Sequence, residues 1–238
     1  MAPDCPTLVL LPGMDGTGEL FTDFVNATPE AFKTATVRYP TDRCLSYSEL
    51  ADIVRASCPV SGPFVLVAES FSTPLAIQCA AAKPVNLAAP VLCAGFASSP
   101  LRGWRQCLGS LFAPTFFRIP LPRFVAKRWL AGLDAPPALL TALRAAISSV
   151  QPRVLASRAR AVLACDASAE LGHVAVPILY LQAKQDCLVG ASCLEEIRRI
   201  KPQVTVAAFE GPHLLLQRDP KGTAEVIAEF VRIWERVD

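Results

Sequence analysis

The feature that most constrains the fold is the alternation of short apolar segments with amphipathic ones along most of the chain. The apolar segments are almost continuous runs of Val, Leu, Ile and Ala, which is typical of parallel strands covered on both faces. Helical patterns between them indicate crossover helices. The sequence therefore predicts an α/β fold with a mostly parallel sheet flanked by helices, with strands at 7–11, 35–39, 64–68, 89–94, 177–182 and 204–209.

Two helices carry clear boundary signals. Ser46 and Glu49 have the spacing of a capping box, and Leu45 and Leu50 occupy the positions of a hydrophobic staple. These residues predict a helix that begins just after Ser46. A closing helix is predicted to begin near Pro220, because proline is favoured at the first helical position.

The alternation stops between residues 97 and 171. These residues have helical or irregular patterns and are interrupted by several prolines. A loop of this length without structure of its own is uncommon in a compact domain. We therefore predict a helical cap at 97–171, inserted into a core that residues 1–96 and 172–238 form together.

Composition narrows the class of protein further. The chain has 238 residues, which is enough for one domain with an insertion. It is 52% hydrophobic with a mean hydropathy of +0.37, but no apolar run is long enough to span a membrane. The N-terminal stretch has no basic region, and its apolar run is too short for a signal peptide, so none is expected. A net charge of +2 gives no reason to expect a nucleic-acid partner.

The cysteine and histidine content bears on location and cofactors. The chain has nine cysteines without a Cys-x-x-Cys pair, and only two histidines. Several cysteines lie within apolar runs, where a reduced thiol packs as a small hydrophobic group. This pattern predicts a cytoplasmic protein without a metal site. We expect no cofactor, and either a monomer or a homodimer.

The stretch Ala68-Glu69-Ser70-Phe71-Ser72 lies between a predicted strand and a predicted helix. The arrangement matches the nucleophile elbow G-x-S-x-G in which small residues flank a reactive serine. Here Ala and Ser replace the two glycines. The alternative interpretation of Ser70 is an N-cap of an ordinary crossover helix.

A serine nucleophile needs a general base and an acid that orients the base. His213 follows the last predicted strand, at the carboxyl edge where ligands of parallel sheets bind, whereas His173 precedes a strand. Asp186 follows the fifth predicted strand and is the preferred acid, with Glu210 as a weaker candidate. The predicted catalytic residues are therefore Ser70, Asp186 and His213, in that order along the chain.

This order and the surrounding motifs resemble the α/β-hydrolase superfamily over nearly the full length of the chain. The chain is similar in particular to small bacterial hydrolases with an N-terminal LPG-x-DGTG motif, and the same motif occurs in plant esterase/acyltransferase proteins. The matching stretches are LLPGMDGTGELF, YPTD, LVAESFSTPLAI, LQAKQDCLV and FEGPHLLLQRDP. The departures are Ser72, where glycine is usual, and Pro12, where many relatives have histidine.

The resemblance implies a role for the glycine-rich loop after the first strand. The loop lacks the spacing of both nucleotide-binding signatures. In an α/β-hydrolase it supplies an oxyanion hole, here from the backbone N–H groups of Met14 and Phe71. Gly13 is expected to give the backbone the freedom to turn the first N–H inward. Asp15 is expected to fix the turn. The alternative is a glycine-rich turn without a catalytic role.

These residues imply a serine carboxylesterase that forms an acyl-enzyme on Ser70 and takes a small-molecule ester, with a hydrophobic acyl group. The alternatives are an acyltransferase or thioesterase with the same triad, a non-catalytic protein that binds a hydrophobic ligand, and a haloperoxidase-like side activity.

Segment 101–130 interleaves basic and aromatic residues and contains no acidic one. It is interpreted either as an apolar lid with a basic rim for an anion, carrier protein or membrane surface, or as a cap with solvated charges.

Overall fold

The computed structural model describes residues 5–101 and 122–234, which form a six-stranded parallel sheet with helices on both faces. The strand order is β2-β1-β3-β4-β5-β6, and all five pairings between neighbours are parallel. The predicted α/β fold with a mostly parallel sheet is confirmed. The strands are β1 (Thr7–Leu11), β2 (Lys33–Thr36), β3 (Phe64–Glu69), β4 (Leu87–Cys93), β5 (Leu179–Ala183) and β6 (Thr205–Phe209).

Nine labelled helices accompany these strands within the described ranges. They are α1 (Thr22–Ala27), α2 (Tyr47–Ser57), α3 (Thr73–Ala81), α4 (Pro137–Ser148), α5 (Pro152–Ala164), α6 (Ser168–His173), α7 (Ala191–Ile200), α8 (Leu215–Arg218) and α9 (Pro220–Trp234). The capping box at the start of α2 is confirmed, because Ser46 and Glu49 each accept a hydrogen bond from the other's backbone N–H. The predicted start of the closing helix at Pro220 is also confirmed.

Alternate residues of the inner strands pack into two separate apolar layers. Val9 and Leu66 lie on the face that α2, α3, α6 and α7 cover, whereas Leu10 and Val65 lie on the face that α1, α8 and α9 cover. Each of these four side chains is fully buried. The period of two along a strand, together with burial on both faces, explains why the strands are continuously apolar in sequence.

The prediction for β2 was wrong by two to three residues. Its strand begins at Lys33 rather than at residue 35, because Lys33 and Thr34 pair with β1 although they are polar. β2 is an edge strand, so the apolar pattern of the inner strands does not apply to it. The last bond to β1 runs from the N–H of Val37 to the carbonyl of Leu10, after which the N–H of Tyr39 donates to the carbonyl of Gly16 instead.

The chain between β4 and β5 is largely helical where it is described. A helical segment over Arg123–Val125 and Ala126–Ala131 precedes α4 and α5. Apolar residues of this insertion form a small cluster with Leu20 and Leu214, which belong to the sheet-forming part of the chain. Most of the basic and aromatic segment 101–130 lies outside the described residues. No helix within those residues combines the length and hydropathy of a membrane span.

Candidate active site

The turn between β3 and α3 holds Ser70 in a strained conformation. Ser70 has a φ of +47° and begins the 3₁₀ turn Ser70–Ser72, which leads directly into α3. This left-handed conformation is uncommon for a residue with a side chain, and such strain is concentrated at functional sites. Ala68 and Ser72, the small residues that flank Ser70 in the predicted elbow, are completely buried. The sequence predicts this strand–turn–helix arrangement for a reactive serine.

His213 connects Ser70 to Asp186 through both of its ring nitrogens. Nε2 lies 2.8 Å from Ser70 Oγ, and Nδ1 lies 2.7 Å from Asp186 Oδ2. The side chains of His213 and Asp186 are 4% and 2% exposed, so water is largely excluded from their contact. The other carboxylate oxygen of Asp186 accepts hydrogen bonds from the N–H groups of Leu188 and Val189 at 2.7 and 2.9 Å. These bonds fix the orientation of the carboxylate.

The two weaker candidates lie elsewhere. Glu210 is exposed and pairs with Lys184 at 2.6 Å. His173 ends α6 and is exposed, before β5 rather than after a strand. The structure therefore brings together the three residues that the sequence favours, each at the carboxyl end of a different strand, and leaves the alternatives outside.

Met14 and Phe71 lie in two loops that are in direct contact. Ser72 Oγ, next to Phe71, donates a hydrogen bond to the carbonyl of Pro12. A Cβ atom placed on Gly13 would lie 3.5 Å from the carboxylate of Glu69. The glycine-rich loop thus packs against the elbow, which is the arrangement an oxyanion hole with one N–H from each loop requires.

The roles of the loop residues differ in part from the prediction. Gly13 is not in the left-handed region, so its φ gives no support to the expected conformational freedom, which stays a prediction. Gly16 and Gly18 do adopt that region, with φ of +70° and +75°. The turn-fixing role of Asp15 is confirmed. Its carboxylate accepts hydrogen bonds from the N–H and the hydroxyl of Thr17, at 2.9 and 2.5 Å.

Ser72 and Pro12, the two departures from the pattern of the resembling hydrolases, contact each other directly. The Tyr39 hydroxyl donates to Ser72 Oγ at 2.8 Å, and Ser72 donates in turn to the carbonyl of Pro12. Ser72 therefore supplies a bond between elbow and loop that glycine would lack. Tyr39 belongs to the YPTD stretch of the resemblance, but sequence reasoning gave it no role in the site.

Arg158 is a second residue that sequence reasoning missed. It extends from α5 to the glycine-rich loop, is 2% exposed, and donates hydrogen bonds to the carbonyls of Met14 and Asp15 at 2.9 and 2.7 Å. A third bond reaches the carbonyl of Pro40 at 2.9 Å. Nothing in the local sequence distinguishes this arginine from its neighbours on α5.

Glu69 is a buried carboxyl group beside the site. It is 2% exposed, and burial is the main reason that its pKa rises to about 7, while the nearby His213 opposes the rise. Gln217 Nε2 donates to Glu69 Oε2 at 3.3 Å. Among the described residues, Glu69 Oε1 and Gln217 Oε1 are buried without a hydrogen-bond partner. When Glu69 is protonated, its carboxyl group gains an O–H donor, which these two unpaired acceptor oxygens would otherwise lack.

Comparisons with known proteins agree with this architecture. Among solved structures, the chain is similar to a thermophilic esterase from Thermogutta terrifontis, with a TM-score of 0.82, 18% identity, and coverage of 98% of this chain and 91% of that one. The chain is also similar to a bromoperoxidase from Bacillus anthracis, with a TM-score of 0.82, 14% identity, and coverage of 97% of this chain and 93% of that one. For an enol-lactonase from Burkholderia xenovorans LB400 the TM-score is 0.78 and the identity 14%, with coverage of 96% of this chain and 92% of that one. The TM-scores show a shared fold, and at these low identities the similarity is one of fold alone.

No curated protein matches the chain in sequence. A family model does match it. Residues 5–226 fit the model described as the Alpha/beta hydrolase family, so the match includes the glycine-rich loop, the elbow, Asp186 and His213. The chain therefore belongs to the alpha/beta hydrolase family.

Proposed function

We propose that the protein is a serine hydrolase that cleaves carboxylic esters through an acyl-enzyme on Ser70. The observation that carries this proposal is the hydrogen-bond chain from Ser70 through His213 to Asp186. A serine becomes nucleophilic when a base lies within about 2.6–3.2 Å and is itself oriented by an acid. A protein that only held a hydrophobic ligand would not need this alignment.

The proposed reaction has two halves. His213 Nε2 accepts the proton of Ser70 as Oγ forms a bond to the ester carbonyl carbon, and Asp186 stabilises the resulting imidazolium. The tetrahedral intermediate collapses, the carbon–oxygen bond to the alcohol breaks, and His213 protonates the leaving alcohol. A water molecule, deprotonated by His213, then attacks the acyl-enzyme and releases the acid and free Ser70.

The negative oxygen of each tetrahedral intermediate is assigned to the N–H groups of Met14 and Phe71. Support comes from the contact between the glycine-rich loop and the elbow, which Ser72 and Pro12 make. Backbone donors held in place before the reaction stabilise the transition state without reorganisation. Within the family, we place the chain with the small hydrolases that share the LPG-x-DGTG loop.

A hydrophobic acyl group is the proposed substrate feature. Leu214 follows the proposed base in sequence, and its N–H donates to the carbonyl of Leu130 in the insertion at 3.1 Å. Leu20 follows the glycine-rich loop, and both leucines belong to the apolar cluster of the insertion. Apolar side chains of the insertion therefore contact leucines that follow the glycine-rich loop and the proposed base in sequence. We propose that the insertion, residues 97–171, acts as a cap over the acyl chain.

A panel of p-nitrophenyl esters from acetate to palmitate tests the proposal. We expect the wild-type protein to hydrolyse one range of chain lengths, and Ser70→Ala to lower turnover by roughly 10⁶. Ser48→Ala is the matched control, since Ser48 is an exposed serine on α2 and its loss should leave turnover unchanged. Equal turnover in Ser70→Ala and wild type, or none in a folded wild type, would refute an esterase that uses Ser70.

A further inference from the structure

In the glycine-rich loop, all five carbonyl oxygens of residues 12–16 accept hydrogen bonds, and the donors come from several parts of the chain. The donors are Ser72 Oγ for Pro12, the N–H of Gly16 for Gly13 at 3.0 Å, Arg158 Nη1 for Met14 and Asp15, and the N–H of Tyr39 for Gly16 at 2.8 Å. Each successive peptide plane is therefore fixed.

These bonds determine the direction of the Met14 N–H group. That group belongs to the peptide between Gly13 and Met14, and in a planar trans peptide the N–H points opposite to the carbonyl. The Gly13 carbonyl is held by Gly16, and Arg158 holds the carbonyl of the following peptide. The orientation of both peptides that flank Met14 is thus set before a substrate binds.

Among the described residues, Arg158 is the one hydrogen-bond donor to these carbonyls that comes from the insertion between β4 and β5. Its guanidinium group is buried, its hydrogen bonds go to backbone carbonyls, and its carbon lies 5.7 Å from the centre of the Tyr39 ring. Burial lowers the pKa of Arg158, although the nearby Asp15 carboxylate opposes this effect. Burying a cation is costly unless its donors are satisfied.

The fit between Arg158 and the loop is tight. A Cβ atom on Gly16 would lie 2.5 Å from Arg158 Nη1, so a side chain at position 16 would have to displace the guanidinium from its three carbonyl partners. Arg158 therefore requires a residue without a side chain at position 16. This fit makes the contact specific for the loop conformation seen in the structure.

We propose that Arg158 is a positioning residue. From its place on α5 it holds the glycine-rich loop, so the geometry of the oxyanion hole depends on the helical insertion. The catalytic part of this inference rests on the proposed function. The loop-holding part does not, because it concerns the conformation of residues 12–16 alone.

The test compares Arg158→Met and the conservative Arg158→Lys with the wild type. Arg160→Met is the matched control, because Arg160 is exposed on the same helix. One measurement is kcat and KM for the preferred p-nitrophenyl ester. The other is amide hydrogen exchange of peptides that cover residues 13–18, which reports on the loop without any reaction.

We expect Arg158→Met to lower kcat about 10- to 100-fold, because loosening an oxyanion donor should cost less than the 10²–10³ of removing one. KM should stay within about twofold, and exchange should accelerate in the loop. Arg158→Lys should fall between Met and wild type, and remains informative if the Met variant does not fold. Arg160→Met should match the wild type in both measurements.

Two other outcomes separate the inference from the proposed function. A lower melting temperature with unchanged kcat and unchanged loop exchange in both Arg158 variants would overturn the inference and leave the esterase proposal intact. A folded wild type without ester hydrolysis would refute the proposed function and with it the catalytic part of the inference. In that case faster exchange in the loop would still support the loop-holding part, and unchanged exchange would overturn that part too.

Discussion

At the residue scale, the site combines groups that are costly to bury with a strained backbone. Ser70 has a left-handed φ, Arg158 carries a buried charge, and the Glu69 carboxyl is enclosed beside both loops. Each of these features destabilises the folded chain when taken alone. Their concentration around one serine is what a preorganised catalytic site requires, because stability is lost where function needs a fixed geometry.

Glu69 gives a pH-dependent prediction. Its pKa is about 7 in the folded chain against an ordinary value of 4.5, so between these pH values the folded chain keeps a proton that the unfolded chain releases. The contribution of Glu69 to the free energy of unfolding should therefore fall as the pH rises from about 4.5 to 7. Glu69→Gln lacks this pH-dependent loss of stability, because the glutamine side chain does not titrate. Urea unfolding should show the variant gaining, relative to wild type, on the order of 2 kcal/mol between pH 5 and pH 8.

Glu210→Gln is the control for this experiment, since Glu210 is an exposed carboxylate in a surface ion pair. Its effect on stability should not change between pH 5 and pH 8. If the stability difference between Glu69→Gln and wild type were the same at both pH values, Glu69 would not carry the raised pKa that its burial implies.

The residues of the site were predictable from sequence to different degrees. Ser70, Asp186 and His213 each follow a predicted strand, and parallel strands bring their carboxyl ends to one edge, so local patterns sufficed. Ser72 bonds a residue 60 positions away, and Arg158 bonds one 144 positions away. Such contacts arise only from the packing of elements that are distant in sequence, so no local sequence pattern predicts them.

At the element scale, the start of α3 is tied to the chain that follows β4. Thr73 is completely buried, and its hydroxyl oxygen accepts a hydrogen bond from the N–H of Phe96 at 3.0 Å. The same hydroxyl lies 2.8 Å from the carbonyl of Ser70 and 3.0 Å from that of Phe96, either of which can accept its proton. One side chain thus connects the elbow to a neighbouring strand end.

We expect Thr73→Val to destabilise the chain by about 1–3 kcal/mol, because valine has nearly the same shape but leaves the buried N–H of Phe96 without an acceptor. Urea unfolding measures the change. Thr205→Val on β6 is the control, because Thr205 is exposed and the substitution should have little effect. Equal stability of Thr73→Val and wild type would mean that this hydroxyl does not join the two elements.

The boundaries of the elements were less predictable than their order. β1 has the predicted limits, and β4 was recognised although it contains Pro90. Proline is tolerated there because the pairing of β5 with β4 begins only at Val91, so Pro90 has a partner on one side. β2 was displaced because apolar periodicity is weak in a half-exposed edge strand.

At the scale of the whole molecule, the parallel sheet explains how three distant residues meet. β3, β4, β5 and β6 are consecutive neighbours, so the loops after β3, β5 and β6 open at the same edge. The insertion adds the helices that approach this edge and provides Arg158. The alternation of apolar segments predicted this architecture, whereas the division into core and cap stays a prediction.

The most direct test of the central claim is labelling with a fluorophosphonate, followed by mass spectrometry of the digested protein. The probe phosphonylates an activated serine whatever the natural acyl group or acceptor, so it isolates the nucleophile from the substrate. We expect one adduct per chain on Ser70, no adduct in Ser70→Ala, and labelling slower by several orders of magnitude in His213→Ala. No adduct in folded wild type, or an adduct on another serine such as Ser72, would contradict the assignment of Ser70 as the nucleophile.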